Sequence, residues 1–289
     1  MTMPNNSRIR FCFRLKVFRR KGGGRMIFGD FLKKYPDVCK KYPDAGSADI
    51  ADISDIADIS ELNKSKVAIF DLDGTLLESL HVWEKVDRIL FERRGMEIPA
   101  NYVQNIEHMS FYEIAQYMAA TFANPSDTPE SLMKEFRELA LEDYSRVKLK
   151  PYAREYLYFL RNSGAKTAVA STLVPSLREP ALKSLNLTDL IDVRVGLEEV
   201  NMVNKNHPDI YLYAAKQLGA EPDNCIVFED IFYGISSAKR AGMSACGVHN
   251  PSSLHNWEKI CKIADITISD YSQAPAILPS CEYSKLQNK

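Results

Sequence analysis

Two aspartates, Asp71 and Asp73, stand one residue apart directly after the apolar run Val67–Phe70, and Gly74 and Thr75 follow them. The run is short and rich in β-branched and aromatic side chains, which predicts a buried strand. Because side chains alternate along a strand, the two carboxylates would project from one face at its carboxyl end. Like charges held that close favour a bound cation or a shared proton. The alternative is a plain turn, since Asp and Gly also favour turns.

Three further places carry polar side chains at or just beyond the carboxyl ends of predicted strands. They are Ser171 with Thr172, Lys205, and Glu229 with Asp230. In a doubly wound parallel sheet these ends meet at one crevice. Taken singly, each has a structural explanation: a helix cap, a solvated loop charge, and acids at a helix N-terminus. Their occurrence together in the chain favours a single site.

The chemistry that these residue types could perform is phosphoryl transfer. A carboxylate can act as a nucleophile, and a divalent cation must then offset the repulsion between two anions. Mg²⁺ prefers carboxylates, waters and phosphate oxygens, and Asp71 and Asp230 could serve as its ligands. Asp73 could act as general acid and base. Lys205 and Ser171 could neutralise and orient the remaining phosphate oxygens.

The elements that must position these residues follow two patterns. After residue 149 the sequence alternates between strand and helix signals, which predicts an α/β fold with a doubly wound parallel sheet. Residues 81–148 repeat apolar positions at helical spacing, which predicts an all-helical cap domain inserted after the first strand. The predicted core is therefore residues 63–80 and 149–289. Its later strands are predicted at Thr167–Ser171, Ile191–Val195, Cys225–Phe228, Ser244–Val248 and Asp265–Ser269.

Residues 1–62 differ in composition from the rest of the chain. The first 25 residues are basic and contain no acid, and residues 48–59 repeat Ala-Asp-Ile or Ser-Asp-Ile. A three-residue period gives neither a helix nor a strand a continuous apolar face. We expect residues 1–62 to be a disordered, low-complexity extension. Codons for the Lys-Gly-Gly before Met26 can spell a ribosome-binding site, so residues 1–25 are hypothesised to be untranslated leader.

Overall composition excludes several classes of protein. The net charge of −1 argues against a nucleic-acid partner. No apolar run reaches the roughly 18 residues that a membrane span needs. The six cysteines show no zinc-like or Cys-x-x-Cys spacing, which suits a reducing, cytoplasmic location. We expect a monomer or weak homodimer whose partner is a small phosphorylated metabolite.

The chain resembles the haloacid dehalogenase (HAD) superfamily, in the branch that holds β-phosphoglucomutase-like phosphatases. The resemblance covers about residues 64–270 and implies a Rossmann-like core with a cap. It is carried by Phe-Asp-Leu-Asp-Gly-Thr-Leu at 70–76, Val-Ala-Ser-Thr at 169–172, Lys205 with His-Pro-Asp-Ile-Tyr at 207–211, and Phe-Glu-Asp at 228–230. Asn206 and Leu173 depart from the family pattern, which more often has Pro and Ser or Asn there, and the departure at Leu173 removes one polar contact near the phosphate.

The resemblance implies a role for each candidate residue. Asp71 would be the nucleophile and Asp73 the general acid and base, and this second aspartate favours phosphoryl transfer over dehalogenation. Mg²⁺ would bind Asp71, the backbone carbonyl of Asp73 and Asp230. The residues implied at the metal are Asp71, Asp73, Glu229 and Asp230, and those implied at the phosphate are Gly74, Thr75, Ser171, Thr172 and Lys205.

The function that this implies is a Mg²⁺-dependent phosphatase that acts on a sugar-phosphate-like metabolite through an aspartyl-phosphate. A hexose-phosphate mutase is the alternative. Mutases of this branch hold a second phosphate with a cap arginine, and Phe111 stands where that arginine is expected. Other cap cations, Lys134, Arg137 and Arg146, could substitute for it. A non-enzymatic binding module is disfavoured because all the charged site residues are present. His81 and His108 are two lone histidines that could contact substrate.

Overall fold

The computed structural model describes residues 27–34 and 63–279, except 108, 123 and 125. In these ranges six parallel strands form one sheet in the order β3-β2-β1-β4-β5-β6. The strands are β1 Val67–Phe70, β2 Lys166–Ala170, β3 Val193–Val195, β4 Cys225–Glu229, β5 Ser244–Val248 and β6 Ile266–Ile268. The α/β prediction and the predicted strands are therefore confirmed: β1 and β5 have the predicted ends, and the other four strands differ from prediction by one or two residues.

Helices cover the sheet and the edge at which its strands end. They are α1 Phe28–Lys34, α2 Leu80–Arg93, α3 Tyr102–Ile106, α4 Phe111–Thr121, α5 Pro129–Tyr144, α6 Ala153–Asn162, α7 Pro175–Ser184, α8 Asp209–Gln217, α9 Phe232–Arg240 and α10 Leu254–Ile263. No helix in the described ranges is long and apolar enough to cross a membrane.

Strand β1 is one of the two central strands of the sheet, and every one of its side chains is buried. Ala68 and Phe70 pack into the apolar cluster on one face, and Val67 and Ile69 pack into the cluster on the other. This is the pattern expected of a strand with helices on both faces. Phe70 pairs with Phe228 of β4, and their rings stack with centroids 4.6 Å apart. The carboxyl ends of β1 and β4 are thereby held side by side.

The cap, which we define as helices α2–α5, is inserted between β1 and β2. Its two connections to the core run next to each other, because Glu78 N–H donates to the Lys148 carbonyl and Lys150 N–H donates to the Leu76 carbonyl, both at 2.8 Å. Helices α4 and α5 each begin with a capping box, at Ser110 and at Thr128. The domain boundaries expected from the sequence, 63–80 and 149–289 for the core and 81–148 for the cap, stay a prediction.

Residues 27–34 differ from the expected disordered extension. Phe28 is fully buried, its ring centroid lies 5.4 Å from that of Tyr156 and 5.1 Å from that of Phe159, and its N–H donates to the Ala274 carbonyl. The prediction is wrong here because a buried aromatic ring and a main-chain hydrogen bond dock this short helix on the core. Residues 1–26 and 35–62, and with them the Met26 hypothesis, lie outside the described residues.

Candidate active site

Three carboxylates meet at the carboxyl ends of the two central strands. Asp71 directly follows β1, Glu229 is the last residue of β4, and Asp230 comes next; all three are buried. One oxygen from each carboxylate lies within 4.8 Å of the others. The Asp71 N–H donates to the Phe228 carbonyl at 3.0 Å, which extends the pairing of the strands into the site. The sheet thus brings together residues that are more than 150 positions apart in the sequence.

Lys205 is the cation of this cluster. It lies in the connection between β3 and α8, is 5% exposed, and donates through Nζ to Asp71 Oδ1 and, at 2.5 Å, to Glu229 Oε1. Burial alone would lower the pKa of Lys205, but these two carboxylates raise it above its usual value. Lys205 is therefore held in its charged form beside Asp71.

Glu229 is fixed by several donors at once. Its Oε1 accepts from Lys205 and, at 2.9 Å, from the Tyr211 hydroxyl, while Oε2 accepts from the N–H groups of Asp230 and Ile231 at 3.1 and 3.3 Å. Its side chain is completely buried. This carboxylate consequently positions the Lys205 ammonium as well as adding negative charge to the cluster.

Asp230 is oriented by two side chains on opposite sides. The Thr75 hydroxyl donates to its Oδ1 at 3.1 Å, and the Asn250 amide donates to its Oδ2 at 2.5 Å. Burial raises the pKa of Asp230 to about 7, the charge of Glu229 adds to this, and the Asn250 hydrogen bond opposes it. Burial likewise raises the pKa of Asp71 well above its usual value, with Lys205 acting against it. The cluster thus holds three carboxylates and one ammonium group, so its negative charge is only partly neutralised.

Gly74 and Thr75 serve the turn rather than the cavity. Gly74 has φ +76°, and a Cβ there would overlap with Asn250 and Asp230. The N–H groups of Gly74 and Thr75 donate to the carbonyls of Leu77 and Leu72. Thr75 is fully buried behind Asp230. Both N–H groups are therefore used inside the turn and the Thr75 hydroxyl is used at Asp230, so the expected phosphate contacts of Gly74 and Thr75 stay a prediction.

Asp73 connects the core to the cap. Its Oδ1 accepts from the Ser79 hydroxyl at 2.5 Å and from the Tyr144 hydroxyl, on α5 of the cap, at 2.6 Å. Burial raises the pKa of Asp73 above its usual value, and these hydrogen bonds together with one from Trp83 oppose the rise. A carboxyl with a raised pKa can carry a proton closer to neutral pH, as a general acid requires.

The strand end after β2 contributes hydroxyl groups. Ser171 is buried, and its hydroxyl accepts from the Leu173 N–H at 3.1 Å, so its O–H can still donate. Thr172 and Leu173 line the cavity beside Asp71. Helix α7 is capped by Val174 rather than by Ser171, which removes the helix-cap explanation for this serine.

A cavity of about 310 Å³ separates the sheet edge from the cap. Its floor includes Asp71, Asp73, Thr172, Lys205 and Asp230. The cap wall is mostly apolar and aromatic, with Trp83, Met109, Phe111 and Phe136 among its side chains, and it also carries the acids Glu84, Asp87 and Glu107.

The other cap residues singled out in the sequence lie away from the described cavity lining. Lys134 and Arg146 form ion pairs with Glu138 and Glu142 on the exposed side of α5, and Arg137 also lies outside the lining. The expectation that one of them substitutes for the missing arginine therefore finds no support. His81 is exposed and outside the lining, and His108 lies outside the described residues.

Four side chains that support the site were not identified from the sequence: Ser79, Tyr144, Tyr211 and Asn250. Tyr211 closes the His-Pro-Asp-Ile-Tyr motif, and Asn250 lies just beyond the carboxyl end of β5, so both could have been found by motif and by strand-end position. Tyr144 carries no local signal, because its contact with Asp73 joins residues 71 positions apart.

Comparison with known proteins gives three kinds of match. A family model described as haloacid dehalogenase-like hydrolase matches residues 65–242. Validoxylamine A 7'-phosphate phosphatase of Streptomyces hygroscopicus subsp. limoneus is 31% identical over 217 residues, which cover 74% of this chain and 99% of that protein. Fructose-1-phosphate phosphatase YqaB of Escherichia coli is 28% identical over 185 residues, 62% of this chain and 94% of that protein.

Solved structures agree with the fold. CbbY from Rhodobacter sphaeroides in complex with phosphate superposes with a TM-score of 0.62 at 20% identity, covering 72% of this chain and 95% of that one. β-Phosphoglucomutase from Clostridium difficile gives 0.61 at 21% identity, with 77% and 96% covered. At these identities the similarity concerns the fold alone.

Proposed function

The chain belongs to the haloacid dehalogenase-like hydrolase family and is a phosphatase, and on that premise we propose that it hydrolyses a small phosphorylated metabolite with Mg²⁺ and an aspartyl-phosphate on Asp71. One observation carries the proposal. Asp71 lies on the cavity floor, bound to the Lys205 ammonium and next to two further carboxylates. This arrangement supports a nucleophile, a cation and a metal-binding group at one end of the sheet.

The residues present fit a magnesium ion. The donors are hard carboxylate oxygens, and Lys205 is the one lysine or arginine among the described residues that line the cavity. A divalent cation would stabilise the ionised forms of Asp71 and Asp230, whose pKa values burial now raises. Mg²⁺ would be held by Asp71, the backbone carbonyl of Asp73 and Asp230, beside Glu229. It would offset the charge of the phosphate.

The chemical steps follow from the surroundings of the two aspartates. The Asp71 carboxylate attacks phosphorus, the P–O bond to the leaving group breaks, and Asp73 gives its proton to the departing oxygen. Asp73 then accepts a proton from the water that attacks the aspartyl-phosphate, which regenerates Asp71 and releases phosphate. Lys205 and the hydroxyls of Ser171 and Thr172 would hold the phosphate oxygens.

The size and lining of the cavity support a sugar-sized leaving group. About 310 Å³ lies at the lower end of small-molecule sites. Relatives named for fructose 1-phosphate and hexitol phosphates act on compounds of this size. The mutase alternative is disfavoured because the cap contributes no lysine or arginine to the described cavity lining, so a second phosphate would lack a cationic partner. The expected cytoplasmic location and the monomer or weak homodimer stay predictions.

Phosphate release from a panel of hexose phosphates tests the proposal. Wild type with Mg²⁺ should release phosphate steadily without isomer interconversion, and excess EDTA should abolish release until Mg²⁺ is restored. Asp71→Asn should lose at least ~10³-fold in kcat, because a neutral amide cannot form the acyl phosphate. The control is Asp209→Asn, an exposed residue in the first turn of α8. Equal release by wild type and Asp71→Asn would overturn the proposal.

A further inference from the structure

The charged groups on the cap wall of the cavity all have the same sign. Among the described lining residues, those of the cap that carry charge are Glu84, Asp87 and Glu107. Several arginines and lysines of the cap are instead paired with acids away from the cavity, such as Arg94 with Asp127 and Glu135. A leaving group that enters this half of the cavity therefore meets negative charge without a compensating cation.

The Glu107 carboxylate already has polar partners in the core, whereas the Asp87 carboxylate can accept further hydrogen bonds. The Glu107 carboxylate accepts from Asn256 at 3.0 Å and lies 2.6 Å from His255 Nε2. Asp87 Oδ1 accepts from the buried Tyr102 hydroxyl at 3.2 Å. Burial raises the pKa of Asp87 to about 6, and the neighbouring charge of Glu84 adds to this. Asp87 is thus a half-buried carboxylate at the cavity that accepts from one hydroxyl group.

Aromatic rings stand beside these carboxylates. Trp83 precedes Glu84 on α2, and its ring centroid lies 5.7 Å from that of Phe111 and 5.8 Å from that of Tyr144. Phe111 in turn lies 5.3 Å from Phe136. Ring faces attract cations and the C–H faces of small polar rings, while nearby carboxylates accept hydrogen bonds from ammonium and hydroxyl groups. The two observations point independently to the same ligand chemistry.

We propose that the cap wall, through Asp87 and Glu84, selects phosphate esters whose leaving group carries a protonated amine or hydroxyl donors and rejects those that carry a second anion. This inference rests on the proposed function, because it assumes that the ester phosphate binds at Asp71 and Lys205. Asp87 and Glu84 are specificity residues in this account and take no part in bond breaking.

Three esters that share one phosphate position test the proposal: glucosamine 6-phosphate, glucose 6-phosphate and 6-phosphogluconate. At pH 7.5 with Mg²⁺, kcat/KM should fall in that order, by ~10-fold or more from the amine to the acid, since one tenfold step needs only about 1.4 kcal/mol. Asp87→Asn should reduce this ratio several-fold, and Glu84→Gln should do so to a smaller extent. Glu138→Gln is the matched control, because it removes the same charge from the exposed side of α5 and should leave the ratio unchanged.

Binding provides a second readout that needs no turnover. Affinities of the same esters for the Asp71→Asn protein with Mg²⁺, measured by calorimetry, should follow the same order, and adding Asp87→Asn should compress it. Equal affinities, a preference for the acid, or an order unchanged by Asp87→Asn would overturn the inference. Absence of hydrolysis by wild type would instead count against the proposed function, while the binding order would still decide the inference.

Discussion

Asp71 and Asp73 are separated by one residue but have unlike surroundings. Asp71 is bound to the Lys205 ammonium and faces the other carboxylates, whereas Asp73 accepts from the neutral hydroxyls of Ser79 and Tyr144. Burial raises the pKa of both groups, and the strongest opposing influence is a full positive charge for Asp71 but a hydrogen bond for Asp73. Differences of this kind are what divide two carboxylates into a nucleophile and an acid.

Tyr144→Phe tests the role of the cap hydroxyl on Asp73. Its loss removes a hydrogen bond that lowers the pKa of Asp73, so that pKa should rise further. Because Asp73 must be protonated to assist the leaving group, the alkaline limb of the kcat/KM profile should move to higher pH, by up to about one unit. Tyr156→Phe is the control, since that hydroxyl donates to the Pro275 carbonyl in the core. Coincident profiles for Tyr144→Phe and wild type would contradict this role.

Asp87→Asn should change the pH dependence of stability as well as substrate specificity. Burial raises the pKa of Asp87 from 3.8 to about 6, so between these values the folded protein binds a proton that the unfolded chain does not. Wild-type stability should therefore fall as pH rises from about 4 to about 6. The variant has no carboxyl group at this position and therefore escapes this loss. Relative to wild type, its free energy of unfolding should be higher at pH 7 than at pH 4 by up to about 3 kcal/mol. Urea unfolding at both pH values checks it, and parallel pH dependences would refute it.

At the scale of elements, short strands position the site residues, and the apolar patterns of these strands predicted them from the sequence. Val67–Phe70 was predicted with its observed ends, because a buried central strand is uniformly apolar. Ser244–Val248 was predicted with its observed ends too, whereas the ends of the other four strands differ by one or two residues, since hydrogen bonding and not composition decides where a strand stops. Helix α1 could not be predicted, because its seven residues follow a basic stretch and the contacts of Phe28 join it to residues far along the chain.

Phe28→Ala tests whether α1 is part of the folded core. Phe28 is fully buried and contacts Tyr156 and Phe159, so truncation should lower the free energy of unfolding by about 3–5 kcal/mol. Lys33→Ala on the same helix should have little effect, because its side chain is 83% exposed. Chemical denaturation followed by circular dichroism measures both. Similar midpoints for the two variants would show that α1 does not dock.

At the scale of the whole molecule, the cap and the core meet around one cavity. Contacts join them on several sides: Tyr144 with Asp73, Glu113 with Asn204 at 2.9 Å, and Glu107 with Asn256. The sequence predicted that a helical cap would cover the catalytic edge, because the insertion follows the first strand. It could not predict which cap residues face the floor, since such contacts join distant positions and depend on how two packed units fit. The acidic character of the cap wall emerged only from the structure.

The covalent intermediate is the most direct test of the central claim. Wild-type protein mixed with Mg²⁺ and a turned-over phosphate ester, then quenched in acid within the first turnover, should carry one phosphoryl group on the peptide that contains Asp71. Asp73→Asn should still form this adduct from an ester with a good leaving group but release it slowly, because no base activates the water. A phosphoryl group on another residue, or Mg²⁺-dependent turnover that persists in Asp71→Asn at the wild-type rate, would contradict the account.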